Sequence, residues 1–129
     1  MTMDRPYTHR LRVRYCETDR MGVAHHGSYI EWFEEARTEW LRALGKTYRE
    51  LEDEGSLLQV VEVNARYLRS VTYDDEIEIE VRRARRQRAS VTIEYVVRMA
   101  EGGEKVCEAS TRLACVDRDG KLKRLPDVL

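Results

Sequence analysis

From residue 57 onward the apolar residues of this chain recur at every second position, in four separate runs. In LLQVVEVNARYLR, 57–69, Val61, Val63, Ala65 and Tyr67 fall on one face. In DEIEIEVRR, 75–83, Ile77, Ile79 and Val81 alternate with Glu76, Glu78, Glu80 and Arg82. Val91, Ile93, Tyr95, Val97 and Met99 follow the same rule, as do Cys107, Ala109, Thr111, Leu113 and Cys115. A period of two marks strands with one buried and one wet face. EGGE at 101–104 and DRDG at 117–120 are turn signals. Consecutive strands with such short links pair antiparallel.

The N-terminal half reads differently. HRLRVRYC, 9–16, predicts one strand with Leu11, Val13 and Tyr15 inward. A loop follows from Glu17 to Gly27. Tyr29, Ile30, Phe33, Ala36, Arg37, Trp40, Leu41 and Leu44 then recur at spacings of three and four, and Trp32 widens the stripe. That is a long amphipathic helix interrupted on its apolar face by Arg37. Ser28 with Glu31 fits a capping box, which makes Ser28 the expected N-cap; Gly45 is a natural stop. TYRELEDEG, 47–55, predicts a short helical piece ended by Gly55.

One strand, one long helix and four strands make an α+β domain spanning 1–129. The economical arrangement is a curved, five-stranded antiparallel sheet wrapped around the helix. Its edge strands would stay open, and pairing with a second copy would close one of them, so a homodimer is expected. The charged outer face argues against a dry sheet-to-sheet contact and permits an ionic one, so a homotetramer of paired dimers stays open.

Composition narrows the class. A chain of 129 residues with 42% hydrophobic and 36% charged residues is expected to be soluble, with a core of its own. Net charge is −1, so no global field favours nucleic acid or an anionic membrane. No apolar run approaches the ~20 residues of a membrane helix, and MTMDRPYTHR lacks the apolar segment of a signal peptide. Cys16, Cys107 and Cys115 are odd in number with no CxxC pair, which points away from a disulfide framework or zinc site and toward a cytoplasmic location.

The segment ETDRMGVAHHGSY, 17–29, concentrates the chemistry. Asp19 sits in a Gly-containing loop before His25, His26 and a helix start. Acid–base work, metal binding and plain turn capping are all open to such an Asp. Adjacent histidines lack the usual spacing of metal ligands, and His9 is the only other histidine, so no metal is expected. His25 reads as structural or exposed, and the His26 imidazole as a group that could orient substrate or Asp19. Cys16 reads as a small strand residue rather than a nucleophile. Glu31, Glu34 and Glu35 read as solvent-facing or as complementing the helix dipole near its N-terminus.

RYCETDRMGVAHHGSYIEWFEEARTEWLR resembles the opening of the hotdog-fold acyl-CoA thioesterases, in particular the 4-hydroxybenzoyl-CoA thioesterase-like group. Tyr15, Glu17, Thr18, Asp19, Gly22, His26, Ser28 and Tyr29 supply the pattern, and ARYLRSVTYDDEIEIE resembles a later part of that family. The resemblance covers roughly residues 9 to 120. It implies a hotdog fold, dimers with active sites at the interface, and thioester hydrolysis. It also implies Asp19 as the catalytic carboxylate and the backbone N–H of His26 as the donor to the thioester carbonyl.

Those residue types suit the reaction. A thiol of pKa about 8–9 leaves without much help, so neither a metal nor a cofactor beyond the substrate's own coenzyme A is expected. An ionised carboxylate can attack the carbonyl or activate water, and the sequence does not choose between them. The first N–H groups of a helix lack intrahelical partners and sit at its positive end, where a carbonyl oxygen would be polarised. Gly22 and Gly27 let the backbone approach a ligand. Tyr29 opens the helix. Val61, Glu62 and Val63 are candidates for lining the acyl or pantetheine channel, against ordinary sheet packing. RRARRQR, 82–88, could dock coenzyme A phosphates through Arg85, Arg86 and Arg88, against a solvated strand end or a nucleic-acid site. A non-catalytic hotdog module that binds acyl-CoA or an acyl-carrier protein is the alternative to the enzyme; a hotdog dehydratase is a weaker third reading.

Overall fold

The first strand, β1, is Tyr7–Arg12, and it ends three residues before Tyr15. The computed structural model describes residues 5–129. After β1 come a single 3-10 turn at Tyr15–Glu17, helix α1 (His26–Ala43) and helix α2 (Tyr48–Asp53). Four strands follow: β2 (Leu57–Tyr67), β3 (Glu76–Arg86), β4 (Ser90–Met99) and β5 (Lys105–Val116). They form one sheet in the order β1-β3-β4-β5-β2, with every neighbouring pair antiparallel. The sheet curves against α1 on its inner face, as the periodicities predict.

Alternation explains the packing. Ile77, Ile79, Val81, Ile93, Tyr95, Val97 and Leu113 are buried on the inner face, with Trp32, Phe33, Ala36, Trp40 and Leu41 of α1 in the same core. Phe33 stacks on Tyr95 at 4.6 Å. Arg37, the charged residue in the apolar stripe, is 6% exposed. Its guanidinium donates to Tyr48 Oη at 2.9 Å and Tyr95 Oη at 3.1 Å, and the Tyr95 hydroxyl meets Thr111 Oγ1 at 2.6 Å. Burial works against the charge, but the two tyrosine oxygens outweigh it and hold Arg37 above its ordinary value. The outer face carries paired charges instead: Arg10 with Glu78, Arg82 with Glu94, and Arg112 with Glu62.

Several expectations need correction. Tyr15 does not continue the inward face of β1; it is 78% exposed and meets Tyr73 edge to face. Ser28 is not the N-cap of α1. The helix begins at His26 with His25 as N-cap, because the Ser28 hydroxyl donates instead to the Glu17 carbonyl. Ile30 leaves the buried stripe and is 43% exposed, since α1 is covered by the sheet on one side only. Val61 does not share the face of Val63, Ala65 and Tyr67: a bulge between Val60 and Glu62 absorbs it, and Leu58 and Val60 extend that face. The third strand runs past residue 83 to Arg86, so most of the arginine run is β structure.

Candidate active site

The loop between β1 and α1 is built around two carboxylates with different jobs. Glu17 is buried, and its side chain accepts the Trp32 indole N–H at 2.9 Å and the Arg14 backbone N–H at 2.7 Å. Its carbonyl oxygen accepts both the His25 N–H, at 3.1 Å, and the Ser28 hydroxyl. Glu17 therefore pins the loop to the first turns of α1. Asp19, two residues on, is exposed. Its Oδ1 accepts the Met21 N–H at 2.8 Å, and its carbonyl accepts the Gly22 N–H at 2.9 Å. This tight turn needs the positive φ of 82° that Gly22 supplies. Oδ2 of Asp19 has no hydrogen-bond partner among the described residues, so turn capping occupies only half of the carboxylate.

Asp19 lines a cleft of about 460 Å³ together with Ala24, His25, His26, Tyr29 and the 67–70 segment that ends β2. The Ala24 N–H bonds the Val71 carbonyl at 2.9 Å and Val23 bridges Thr72, which fastens the two walls together. Tyr29 meets Tyr67 edge-on at 4.9 Å across the floor. Burial pushes the Tyr29 phenol up to about 12, so it enters the cleft as a neutral O–H, and pushes the Cys107 thiol up to about 11, too high for a nucleophile at neutral pH.

The corrected helix start bears on the expected oxyanion donor. With His25 as N-cap, His26 and Gly27 are the first two helical residues, and their N–H groups have no intrahelical acceptor. His26 therefore stands at the positive tip of α1 and on the wall of the Asp19 cleft.

Of the residues singled out from the sequence, Asp19, His26 and Tyr29 share this cleft, and Gly27 lies beside it in the first turn. Val63 lines a smaller crevice of about 210 Å³ between α1 and β2, with Ile30, Glu31, Glu34, Arg37, Val60 and Thr111. Val61 sits on the bulge, 48% exposed, and Glu62 points outward to Arg112. The arginines lie at the other end of the sheet. Tyr67 pairs with Cys107, Cys107 with Val97 and Val97 with Ile79, whereas Arg86 pairs with Val91, six residues away on β4, so Arg86 lies about 20 Å from that end at the ~3.3 Å rise of a strand. Arg86 donates to the Leu125 and Pro126 carbonyls, each at 3.2 Å, whereas the Arg85 and Arg88 side chains have no partner among the described residues. Among those residues, metal-ligating side chains do not gather in threes. Among the described residues, no helix is long and apolar enough to cross a membrane.

Sequence reasoning missed Glu17 as the staple of the loop, and Leu68, Arg69 and Ser70 as the far wall. Glu17 stood out only as part of the family-like pattern, with no structural role assigned; the available signal was Trp32, a helical indole on the buried stripe that needs an acceptor. The 68–70 segment follows a strand and carries no motif.

A family profile described as the thioesterase-like superfamily matches residues 13–129. The chain belongs to that superfamily. It is 36% identical over 123 residues to a putative esterase of Aquifex aeolicus, covering 94% of this chain and 92% of that protein. It is 34% identical over 122 residues to the acyl-CoA thioesterase YbgC of Haemophilus influenzae, covering 94% and 88%. The structure of a DHNA-CoA thioesterase from Staphylococcus aureus superposes with a TM-score of 0.89 at 32% identity, covering 93% of this chain and 80% of that one. The curved sheet with its long helix is thus the hotdog arrangement of the superfamily.

Proposed function

We propose that this thioesterase-superfamily member hydrolyses acyl-CoA thioesters, with Asp19 as nucleophile or base and the His26 N–H as oxyanion donor. The observation that carries the reading is the meeting of a half-free carboxylate and an unpartnered helix N-terminus on one cleft. One such donor is worth about 10²–10³ in rate. The reaction calls on no metal and on no cofactor beyond the coenzyme A of the substrate. The assay that tests the reading follows thiol release across acyl-CoA chain lengths, benzoyl and phenylacetyl derivatives included. Release above the uncatalysed rate is expected for part of that series; its absence throughout would leave a non-catalytic acyl-CoA binder.

The same reading includes a homodimer joined along β2. That strand is an edge and mostly exposed, with Val60, Val61, Val63 and Tyr67, and Leu68 just beyond its end, between 39% and 48% exposed. An edge so apolar is a liability unless it is paired. Val63→Lys is expected to shift the protein from dimer to monomer in sedimentation at micromolar concentration and to lower turnover with it. A variant that sediments as wild type would remove β2 from the interface.

Antiparallel pairing of two β2 edges about a two-fold axis would bring the arginine-bearing end of a second copy to the end of the dimer that holds this cleft. Arg85 and Arg88 of that copy would then receive the phosphates of coenzyme A, for which guanidinium forks are well matched. The double change Arg85→Gln and Arg88→Gln is expected to raise KM for acyl-CoA about tenfold or more with kcat little changed, and to leave truncated thioesters that lack the nucleotide unaffected. Equal effects on both substrate types would count against phosphate binding.

A further inference from the structure

His25 is held in one tautomer by a chain of hydrogen bonds that ends on a carbonyl. The Ser28 hydroxyl has a single proton and donates it to the Glu17 carbonyl oxygen at 2.9 Å. The same Oγ lies 3.2 Å from His25 Nε2. With its own proton committed, Ser28 can only accept from the ring, so Nε2 carries hydrogen and Nδ1 of the neutral ring keeps a bare lone pair. The backbone reinforces the pose: the His25 N–H bonds Glu17 O at 3.1 Å, and the Ser28 N–H bonds His25 O at 3.0 Å. Gly27 leaves room for the ring edge, since a Cβ there would lie 3.2 Å from both Nδ1 and Cε1.

His25 also belongs to the lining of the Asp19 cleft. The titratable groups around that cleft are Asp19 from the loop, His26 and Tyr29 from α1, Tyr67 from the end of β2 and Arg69 just beyond it. Arg69 is paired with Glu104 at 2.7 Å, and Tyr29 is a neutral phenol. The residues lining the cleft thus include Asp19, whose carboxylate has one oxygen without a partner, and His25, whose Nδ1 has none among the described residues. A carboxylate is a serviceable nucleophile but a weak base at neutral pH, whereas imidazole is well matched to taking a proton from water there.

We propose that the two groups divide the reaction, with Asp19 attacking the thioester and His25 Nδ1 activating the water that frees the acid. This rests on the assignment of Asp19 and the His26 N–H given above. In the first half, Asp19 Oδ2 bonds to the carbonyl carbon. The carbon–sulfur bond breaks, and the thiolate leaves with the electron pair. In the second half, water adds to the acyl carbon of the mixed anhydride while His25 Nδ1 takes one of its protons. The bond from acyl carbon to Asp19 oxygen breaks, releasing the carboxylic acid and restoring the carboxylate. The imidazolium then returns its proton to the thiolate or to solvent.

His25→Asn tests this in the full-length protein, because Asn caps helices well and keeps the start of α1. Circular dichroism of the variant should match wild type. Rapid-mixing assays of thiol release are expected to show a burst of one thiol per active site. A steady state about 10²–10⁴-fold slower than wild type should follow. Intact-protein mass should show the acyl adduct, and Asp19→Asn should abolish both burst and adduct. Ser28→Ala, which frees the ring, should slow the same second half to a smaller extent. An unchanged steady state in His25→Asn would overturn the proposal, and so would a first turnover slowed as much as the later ones. A wild-type protein that releases no thiol from any substrate would end the enzyme assignment itself, and this proposal with it.

Discussion

Asp19→Asn is expected to leave a folded protein that still binds acyl-CoA but turns it over about 10⁴–10⁶-fold more slowly, the scale on which a hydrolase loses rate when one of its reacting side chains is removed. The fold should survive because the side chain is exposed and its one structural duty, accepting the Met21 N–H, is within reach of an amide oxygen. Turnover should not survive, because the free Oδ2 becomes an amide nitrogen, which neither attacks a carbonyl nor takes a proton from water. Binding should persist, since neither the aromatic floor of Tyr29 and Tyr67 nor the first N–H groups of α1 depend on the carboxylate. Steady-state kinetics together with calorimetric titration of a non-hydrolysable analogue separate the two effects. Rates near wild type would remove Asp19 from the reaction; lost binding would make it a substrate ligand instead.

The largest stability effect is expected at Phe33. Its side chain is fully buried and stacks on Tyr95, whose hydroxyl joins Arg37 and Thr111. Phe33→Ala removes a ring from the centre of the contact between helix and sheet and leaves a cavity that the neighbouring strands cannot close. The cost is about 3–5 kcal/mol. Against a total of roughly 5–15 kcal/mol for a typical domain, that loss is large. Urea unfolding should show a lower midpoint with little change in slope. Phe33→Leu, which keeps most of the volume, should cost under ~1.5 kcal/mol. A loss below ~1 kcal/mol in the alanine variant would mean that the core is not organised around this stack.

The sheet was legible because the apolar residues of β3, β4 and β5 alternate. Ile77, Ile79 and Val81 between glutamates leave no second register that buries the same face. The strand bounds came out short where charge replaced the pattern. Ala84, Arg85 and Arg86 lie beyond the alternating run, yet they continue β3, because on an exposed strand end the ladder hydrogen bonds, not burial, hold the chain. Val61 was misplaced because a bulge leaves no mark when every nearby residue is apolar or polar in no fixed order. At the site, the sequence pointed to the loop and the helix tip but put the cap at Ser28. A Ser followed three residues later by Glu is a strong local signal, and here it lost to a tertiary one, the carbonyl of Glu17. His25 read as structural or exposed; it is exposed, and its partners Ser28 and Glu17 reach it only after the loop has folded back, which no local pattern signals.

The strand order carries a consequence for how the molecule assembles. β3, β4 and β5 form a continuous meander joined by the short links 87–89 and 100–104, so their pairings close small loops. β1 and β2 must cross long stretches of chain before Tyr7 meets Val81 or Tyr67 meets Cys107, and the loop-closure entropy of those pairings is correspondingly larger. Both walls of the Asp19 cleft hang from these two outer strands. The order of the strands therefore favours a central hairpin pair as the nucleus, with the reactive cleft among the last parts to form and the first to open.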